Sequence, residues 1–90
     1  MRLDKYLKVS RLIKRRTVAK EICEAGKIEV NGRPAKAGHE VKVGDKIQIR
    51  FGNRHLLAEI MEIKETIRAD QADTLFQVLE DKKINENKEF

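Results

Sequence analysis

A change in hydrophobic period at Gly26 divides the chain into two differently patterned parts. Before it, apolar residues recur at steps of three and four, as in Leu3 and Leu7, which is typical of one face of a helix. After it, apolar and polar residues alternate, as at Ile28 and Val30, which is typical of a half-buried strand. A chain of 90 residues has room for one small core. The switch therefore predicts a small α+β fold.

Two helices are predicted before the switch. The first runs over about 3–9 and carries Asp4 in its first turn, where a carboxylate is stabilised by the positive end of the helix dipole. The second begins with Thr17 as its N-cap and runs to about Ala25. Gly26 is expected to end it, because glycine adopts the left-handed conformation at little cost.

A small antiparallel sheet is predicted after the switch. The tight turn at Asn31-Gly32 closes its first strand, since this dipeptide favours the turn that joins two antiparallel strands. A hairpin is expected around Gly44-Asp45, and a further strand after the turn at Gly52-Asn53. The predicted strands are 28–30, 41–43, 47–49 and 56–63.

The C-terminal part is predicted to add a third helix. Asp70 is its expected N-cap, and Lys82 and Lys83 close its negative end. Ala72, Leu75, Phe76 and Leu79 lie on one face of this helix at helical spacing. We therefore predict one folded domain over 1–64, and a C-terminal helix with a flexible acidic tail over 65–90.

The charge of the chain is concentrated at its amino-terminal end. Residues 1–50 hold 14 Lys and Arg against 6 Asp and Glu, whereas residues 51–90 hold 6 against 9. The two halves therefore carry net charges of +8 and −3. A field with one positive end attracts polyanions and speeds their capture. This asymmetry favours a nucleic-acid partner over a uniformly solvated surface.

The candidate binding residues lie in this cationic end. Arginines next to the start of the second helix can grip phosphate oxygens, and the helix adds backbone N–H groups and partial positive charge. Asp4 is the one acid among them, and it can hold a neighbouring guanidinium in place. The predicted RNA-binding residues are Arg2, Asp4, Lys5, Lys8, Arg11, Lys14, Arg15, Arg16, Lys20 and Lys36.

The sequence offers little chemistry for catalysis. His39 and His55 are 16 residues apart, and with Cys23 as the single cysteine there is no metal-ligand spacing. Cys23 lies on the apolar face of the second helix, where a cysteine is usually a small core residue. We therefore expect no enzyme, no metal and no cofactor. No apolar run is long enough to cross a membrane, and we expect a monomer in the cytoplasm.

Aromatic residues distinguish between kinds of nucleic acid. Proteins that bind single strands stack bases on exposed rings. Here Phe76 is predicted in the core, Phe51 at a strand end, Tyr6 partly in the core and Phe90 at the terminus. We therefore expect recognition of folded RNA through its backbone and shape.

Five separated blocks of sequence then reveal a family resemblance. They are Arg2-Leu3-Asp4-Lys5-Tyr6-Leu7, Ser10-Arg11, Lys14-Arg15-Arg16-Thr17-Val18-Ala19, Gly26-Lys27-Ile28-Glu29-Val30-Asn31-Gly32 and Val43-Gly44-Asp45. In this order and spacing, over about residues 1–50, the chain resembles the S4 RNA-binding domain. The resemblance implies the S4-type (αL motif) fold, with two N-terminal helices packed on a small bent antiparallel sheet, and binding to structured RNA.

The resemblance also implies a cellular role. Among S4 proteins without a catalytic domain, the chain is most similar to those of ribosome quality control, and next to the fifteen-kilodalton heat-shock group. This implies binding to obstructed large ribosomal subunits through 23S rRNA and peptidyl-tRNA. There the protein would support an elongation partner that adds C-terminal alanine tails without a template.

Two alternatives stay open on sequence alone. One is an RNA chaperone, or an assembly or heat-shock factor of the large subunit, that binds rRNA. The other is a DNA-binding regulator of the helix-turn-helix type. The second helix offers few base-reading side chains for that role, and Glu21 and Glu24 would repel DNA.

Overall fold

Two short helices lead into the fold, and a computed structural model describes residues 1–83. Helix α1 covers Leu3–Val9 and helix α2 covers Arg16–Glu24. The first helix has the predicted bounds, whereas the second begins two residues before its predicted start and ends one residue before its predicted end. Their buried side chains are Leu3, Asp4, Tyr6 and Leu7 on α1, and Ala19, Ile22 and Cys23 on α2.

The strands of the described part form one antiparallel sheet. They are β1 (Ile28–Val30), β2 (Arg33–Pro34), β3 (Lys46–Phe51), β4 (Arg54–Ile60) and β5 (Phe76–Lys83). Their order across the sheet is β2-β1-β3-β4-β5, and each neighbouring pair is antiparallel. A 3-10 helix at Ala69–Leu75 leads into β5. The α+β class with an antiparallel sheet is therefore confirmed.

The core lies between the two helices and one face of the sheet. Tyr6 of α1 is fully buried, and its hydroxyl donates a hydrogen bond of 2.7 Å to the carbonyl of Leu75. Ile28 and Ile47 contribute buried side chains from β1 and β3. The hydrogen bond from Tyr6 to Leu75 ties α1 to the segment just before β5. The orientation of α1, which carries Asp4, is thereby fixed from the far end of the sequence.

Two predicted turns are confirmed by their backbone geometry. Asn31 and Gly32 have φ values of 54° and 86°, and they join β1 to β2. Two successive positive φ values are the signature of the turn that asparagine and glycine favour. The turn at Gly52-Asn53 joins β3 to β4, whose residues pair from Phe51 opposite Arg54 onward.

The predicted third helix is wrong over most of its length. Only Ala69–Leu75 is helical, and as a 3-10 helix, whereas Phe76–Lys83 is strand β5. β5 pairs along β4 from Ile60 opposite Phe76 to Arg54 opposite Lys83. Without it, the long edge of β4 would leave a row of backbone groups unpaired. Pairing with that edge outweighs the helical spacing of a short apolar run. The predicted tail at 84–90 lies outside the described residues.

The predicted strand at Val41–Val43 is also wrong. The N–H of Val41 bonds to the carbonyl of Met1, and the N–H of Lys42 donates to Asp45 Oδ2 at 2.9 Å. Asp45 is buried and also accepts a bond from the Asn31 side chain at 3.1 Å. These partners hold the segment as a turn before β3. β3 instead pairs with β1 and β4.

The predicted N-cap of the second helix is wrong as well. The N-cap residue is Arg15, which makes no side-chain capping bond, and Thr17 lies in the first turn. Arg16, the first helical residue, is instead held by an ion pair to Asp4 of α1. A contact between helices therefore fixes the start of α2 in place of a local cap.

Candidate nucleic-acid interface

A buried carboxylate joins the starts of the two helices. The side chain of Asp4 is only 3% exposed. Its Oδ1 accepts from Nε of Arg2 at 3.2 Å, and its Oδ2 lies 3.4 Å from both Nη2 of Arg2 and Nε of Arg16. The backbone N–H of Lys5 also donates to Oδ1, at 2.8 Å. One acid thus orients two guanidinium groups that come from different elements.

The electrostatics of this cluster keep Asp4 ionised. Burial acts to raise the pKa of Asp4, but the hydrogen bonds and charges of Arg2 and Arg16 outweigh it and hold the pKa below its ordinary value. Asp4 therefore stays negative at neutral pH. The predicted role of Asp4 in holding a neighbouring guanidinium is visible in this geometry, together with its place in the first turn of α1.

The two arginines remain open to solvent on their outer side. The side chains of Arg2 and Arg16 are 51% and 47% exposed. They line a shallow depression together with Asp4, Thr17 and Lys20. Three cations against one acid leave this depression with a net positive charge. Guanidinium groups bind phosphate oxygens in a fork, so the arrangement can hold an RNA or DNA backbone.

The other predicted residues lie in four places. Lys14 and Arg15 are exposed in the connection before α2. Lys5 forms an ion pair with Glu65, and Nζ of Lys36 lies 3.8 Å from Oε1 of Glu24. These carboxylates partly offset both lysines, although Lys36 remains well exposed.

Lys8 and Arg11 lie on a second depression. It is lined further by Val9, Glu65, Thr66 and Ile67, and it shares no residue with the depression around Asp4. Arg11 has a φ of 66°, in the left-handed region that glycine favours. The predicted set is therefore divided among a cluster at Asp4, a separate cationic surface at the end of α1, and residues that belong to neither.

A groove beside Arg11 was missed at the sequence level. Phe51 is 55% exposed and lines this groove with Arg11, Leu12 and Arg54. The available signal was the alternation of β3, which places Phe51 on the same face as Ile49, beyond the point where the helices cover the sheet. The sequence predicts Phe51 only as the end of a strand.

The described residues show neither a metal cluster nor a thiol that ionises readily. No three His, Cys, Asp or Glu side chains within 1–83 lie close enough together to hold a metal ion. Cys23 is buried, and burial, with smaller effects from Asp4 and Glu24, raises the pKa of its thiol to about 11. No helix among the same residues is long and apolar enough to span a membrane.

Comparison with known proteins adds the family. The chain is 56% identical over 87 residues to the RQC P-site tRNA stabilizing factor of Halalkalibacterium halodurans, covering 97% of this chain and 99% of that protein. It is 46% identical over 86 residues to the protein of the same name from Bacillus subtilis, covering 96% and 100%.

A solved structure agrees with the observed architecture. The trimeric Heat Shock Protein 15 of Vibrio cholerae superposes with a TM-score of 0.81 at 34% identity, covering 87% of this chain and 80% of that one. The S4-type fold predicted from the five sequence blocks is thereby confirmed. The family model of the S4 domain matches residues 1–47, over half of the chain and including the whole Asp4 cluster, so this protein belongs to the S4 domain family.

Proposed function

We propose that this protein is an RNA-binding factor of bacterial ribosome-associated quality control. It binds obstructed large ribosomal subunits through 23S rRNA and the peptidyl-site tRNA, in the cytoplasm. It acts by binding, as a monomer and without a catalytic step. By holding the tRNA in place, it supports a partner protein that extends stalled chains with C-terminal alanine.

One observation carries this proposal. Arg2 and Arg16 converge on the buried Asp4 while about half of each side chain stays exposed, and Lys20 lies in the same depression. Two guanidinium groups held in place beforehand lose less conformational entropy when they bind a phosphate. This is the arrangement expected of a surface that reads the shape of a folded RNA backbone.

The relatives supply the biological setting. Proteins 46–56% identical to this chain over nearly its whole length are named RQC P-site tRNA stabilizing factor. A shared S4 domain and closely similar length support the same role here. We assign the RNA contacts to residues 1–64, which contain every cation of the Asp4 cluster.

The test is binding of purified variants to large ribosomal subunits that carry P-site tRNA. Arg16→Ala and Arg2→Ala each remove one charged contact, which is worth about 1–3 kcal/mol. This corresponds to roughly 5- to 150-fold weaker co-sedimentation. Lys82→Ala is the matched control, because it removes one positive charge from β5, where Lys82 pairs with Glu80. It should bind within about twofold of the unmodified protein.

Two further readouts make the test specific. Both arginine variants should melt within about 8 °C of the unmodified protein, because each loses one pair worth about 0.2–1 kcal/mol, at about 4–8 °C per kcal/mol. Crosslinking in cells should recover 23S rRNA together with tRNA. Undiminished subunit binding by a correctly folded Arg16→Ala protein would contradict the proposal. Stronger binding to duplex DNA than to subunit RNA at equal salt would favour a DNA-binding regulator instead.

A second candidate follows from the likeness to Heat Shock Protein 15. In this role, the protein would act as an RNA chaperone or assembly factor on ribosomal RNA. Sedimentation separates the two, since an assembly factor would travel with incomplete subunits. The quality-control role predicts mature large subunits with tRNA attached.

A further inference from the structure

A groove of about 260 Å³ lies where the sheet extends past the helices, and it shares no residue with the Asp4 depression. Its lining includes Phe51 of β3, Leu56 of β4 and Val78 of β5. On the other side it is bounded by the chain just after α1, at Arg11 and Leu12. Phe51 is 55% exposed and Val78 is 46% exposed. An exposed aromatic ring thus forms part of a mainly apolar surface.

The two arginines beside this ring differ in their freedom. Arg54 donates two hydrogen bonds to Asp81, at 3.0 and 2.7 Å, which fixes its guanidinium and offsets its charge. Within residues 1–83 no carboxylate pairs with Arg11, and its side chain is exposed. Arg11 is thus the cation of this groove that is available to an anion.

The backbone gives a second reason to single out Arg11. Its φ of 66° lies in the left-handed region, directly after the C-cap Ser10. Glycine is the usual residue at such a position, and another residue there costs about 1 kcal/mol. An arginine at a site where glycine would be more stable points to a use for its side chain.

We propose that this groove binds one unpaired nucleobase of RNA, stacked on Phe51, with the adjoining phosphate held by Arg11. The proposal rests on the RNA-binding function above and adds a second contact to it. An exposed ring stacks any base, because every base has a flat aromatic face. The free guanidinium matches the negative charge of the phosphate next to the base.

Size and continuity favour a base over a peptide. Pockets for drug-sized ligands span about 300–1,000 Å³, so a groove of about 260 Å³ suits a single flat ring system. A docked peptide helix needs a longer groove with several anchor points. Arg11 also lines the neighbouring depression that contains Lys8, so the groove continues into the cationic surface at the end of α1.

The experiment compares three RNA hairpins with the full-length protein. One carries a single bulged adenosine, the second carries an abasic bulge at the same place, and the third is fully paired. Fluorescence anisotropy gives the affinity for each. We expect the bulged adenosine to bind roughly 5- to 150-fold more tightly than the abasic bulge, the range of base–aromatic stacking.

Four variants assign this preference to the groove. Phe51→Ala should abolish the preference for the bulged adenosine, and Phe51→Trp should retain it. Arg16→Ala should weaken binding to all three hairpins equally and leave the preference unchanged. Arg11→Gly should weaken binding to the bulged hairpin severalfold while melting at or above the temperature of the unmodified protein, because glycine relieves the left-handed strain. This last variant keeps the test valid should Phe51→Ala fold poorly.

Each outcome separates this inference from the proposed function. Equal binding of the bulged and abasic hairpins by the unmodified protein overturns the base site, while the proposed function stands. No measurable binding to any of the three hairpins or to large ribosomal subunits overturns both. A Phe51→Ala protein that keeps the adenosine preference but loses binding to intact subunits assigns the groove to a protein partner, and it also overturns the base site.

Discussion

Replacing Asp4 with asparagine separates a positioning role from simple electrostatics. The change keeps the shape of the side chain and removes its charge. Asparagine still offers an oxygen to the N–H of Lys5, which now lies 2.8 Å from Oδ1. It loses the attraction to Arg2 and Arg16 that holds both guanidinium groups at the depression. Stability and RNA affinity should respond to this loss by different amounts.

The expected loss of stability follows from the geometry. The contacts of Asp4 with Arg2 and Arg16 are 3.2–3.4 Å long, longer than the 2.7–2.9 Å of a tight charged bond. Both guanidinium groups are also about half exposed, so each pair is worth about 0.2–1 kcal/mol, as for surface pairs. Two pairs give about 0.4–2 kcal/mol. At about 4–8 °C per kcal/mol, Tm should fall by roughly 2–16 °C.

The positioning role and a simple effect of net charge predict changes in RNA affinity of opposite sign. Removing an acid from a cationic surface strengthens phosphate binding if only net charge matters. If Asp4 positions the arginines, the RNA must order two side chains, at about 0.5–1.5 kcal/mol each. Affinity then falls by about 1–3 kcal/mol, or roughly 5- to 150-fold. Asp70→Asn is the matched control, because it removes one acid from an exposed pair with Arg68.

The pH dependence provides a second measurement on the same variant. The pKa of Asp4 is lowered in the folded protein, so its contribution to stability is present above its ordinary pKa of 3.8. It is lost as the pH falls through the folded pKa, because the unfolded state then binds the proton more readily. The difference in Tm between Asp4→Asn and the unmodified protein should therefore shrink toward acid pH. For RNA affinity, the refuting result is an Asp4→Asn protein that binds RNA as well as the unmodified protein, or better, at neutral pH and low salt.

Three further results are expected. Tyr6→Phe removes the donor to the Leu75 carbonyl and should cost about 1–3 kcal/mol of unfolding free energy by denaturant titration; an unchanged midpoint would contradict the buried bond. Cys23, with its pKa raised to about 11, should react with thiol reagents at pH 8 only in denaturant, and rapid labelling of the native protein would argue against its burial. If five phosphates are neutralised, log affinity should fall with log salt at a slope of about −3.5 to −4.5, whereas a slope near −1 would leave the cationic surface without a role.

The helices and tight turns could be predicted because their signals are local. Helix α1 shows its apolar face within seven residues, and Asn31-Gly32 favours one turn type whatever surrounds it. The last strand could not be predicted in the same way. Phe76 and Leu79 fit one face of a helix, whereas Phe76 and Val78 fit one face of a strand, and only the open edge of β4 decides between the two patterns. That edge is formed by residues distant in sequence, so no window around Phe76 contains the information.

The candidate site shows a similar division. The cationic segment was evident from composition, yet composition could not say which of its charges act together. Asp4 forms ion pairs with Arg2 and Arg16. These two arginines lie 14 positions apart in the sequence, and they meet only because α1 and α2 are packed side by side. Lys5 has the same charge and lies next to Asp4 in sequence, but its ammonium group reaches Glu65 instead.

The ion pairs in this cluster bear on how it can bind RNA. An arginine held in an internal ion pair can contribute less to RNA binding, because the pair lowers the positive charge available to a phosphate. Here one carboxylate pairs with two guanidinium groups, so the three groups together carry one net positive charge. Lys20 adds a second positive charge to the same depression. Because the side chain of Asp4 is only 3% exposed, it restrains the arginines while contributing little to the surface of the depression. The ion pairs reduce the positive charge of the depression, but they also hold the two guanidinium groups in place. Fixed guanidinium positions favour recognition of one RNA shape, whereas charge alone attracts any polyanion.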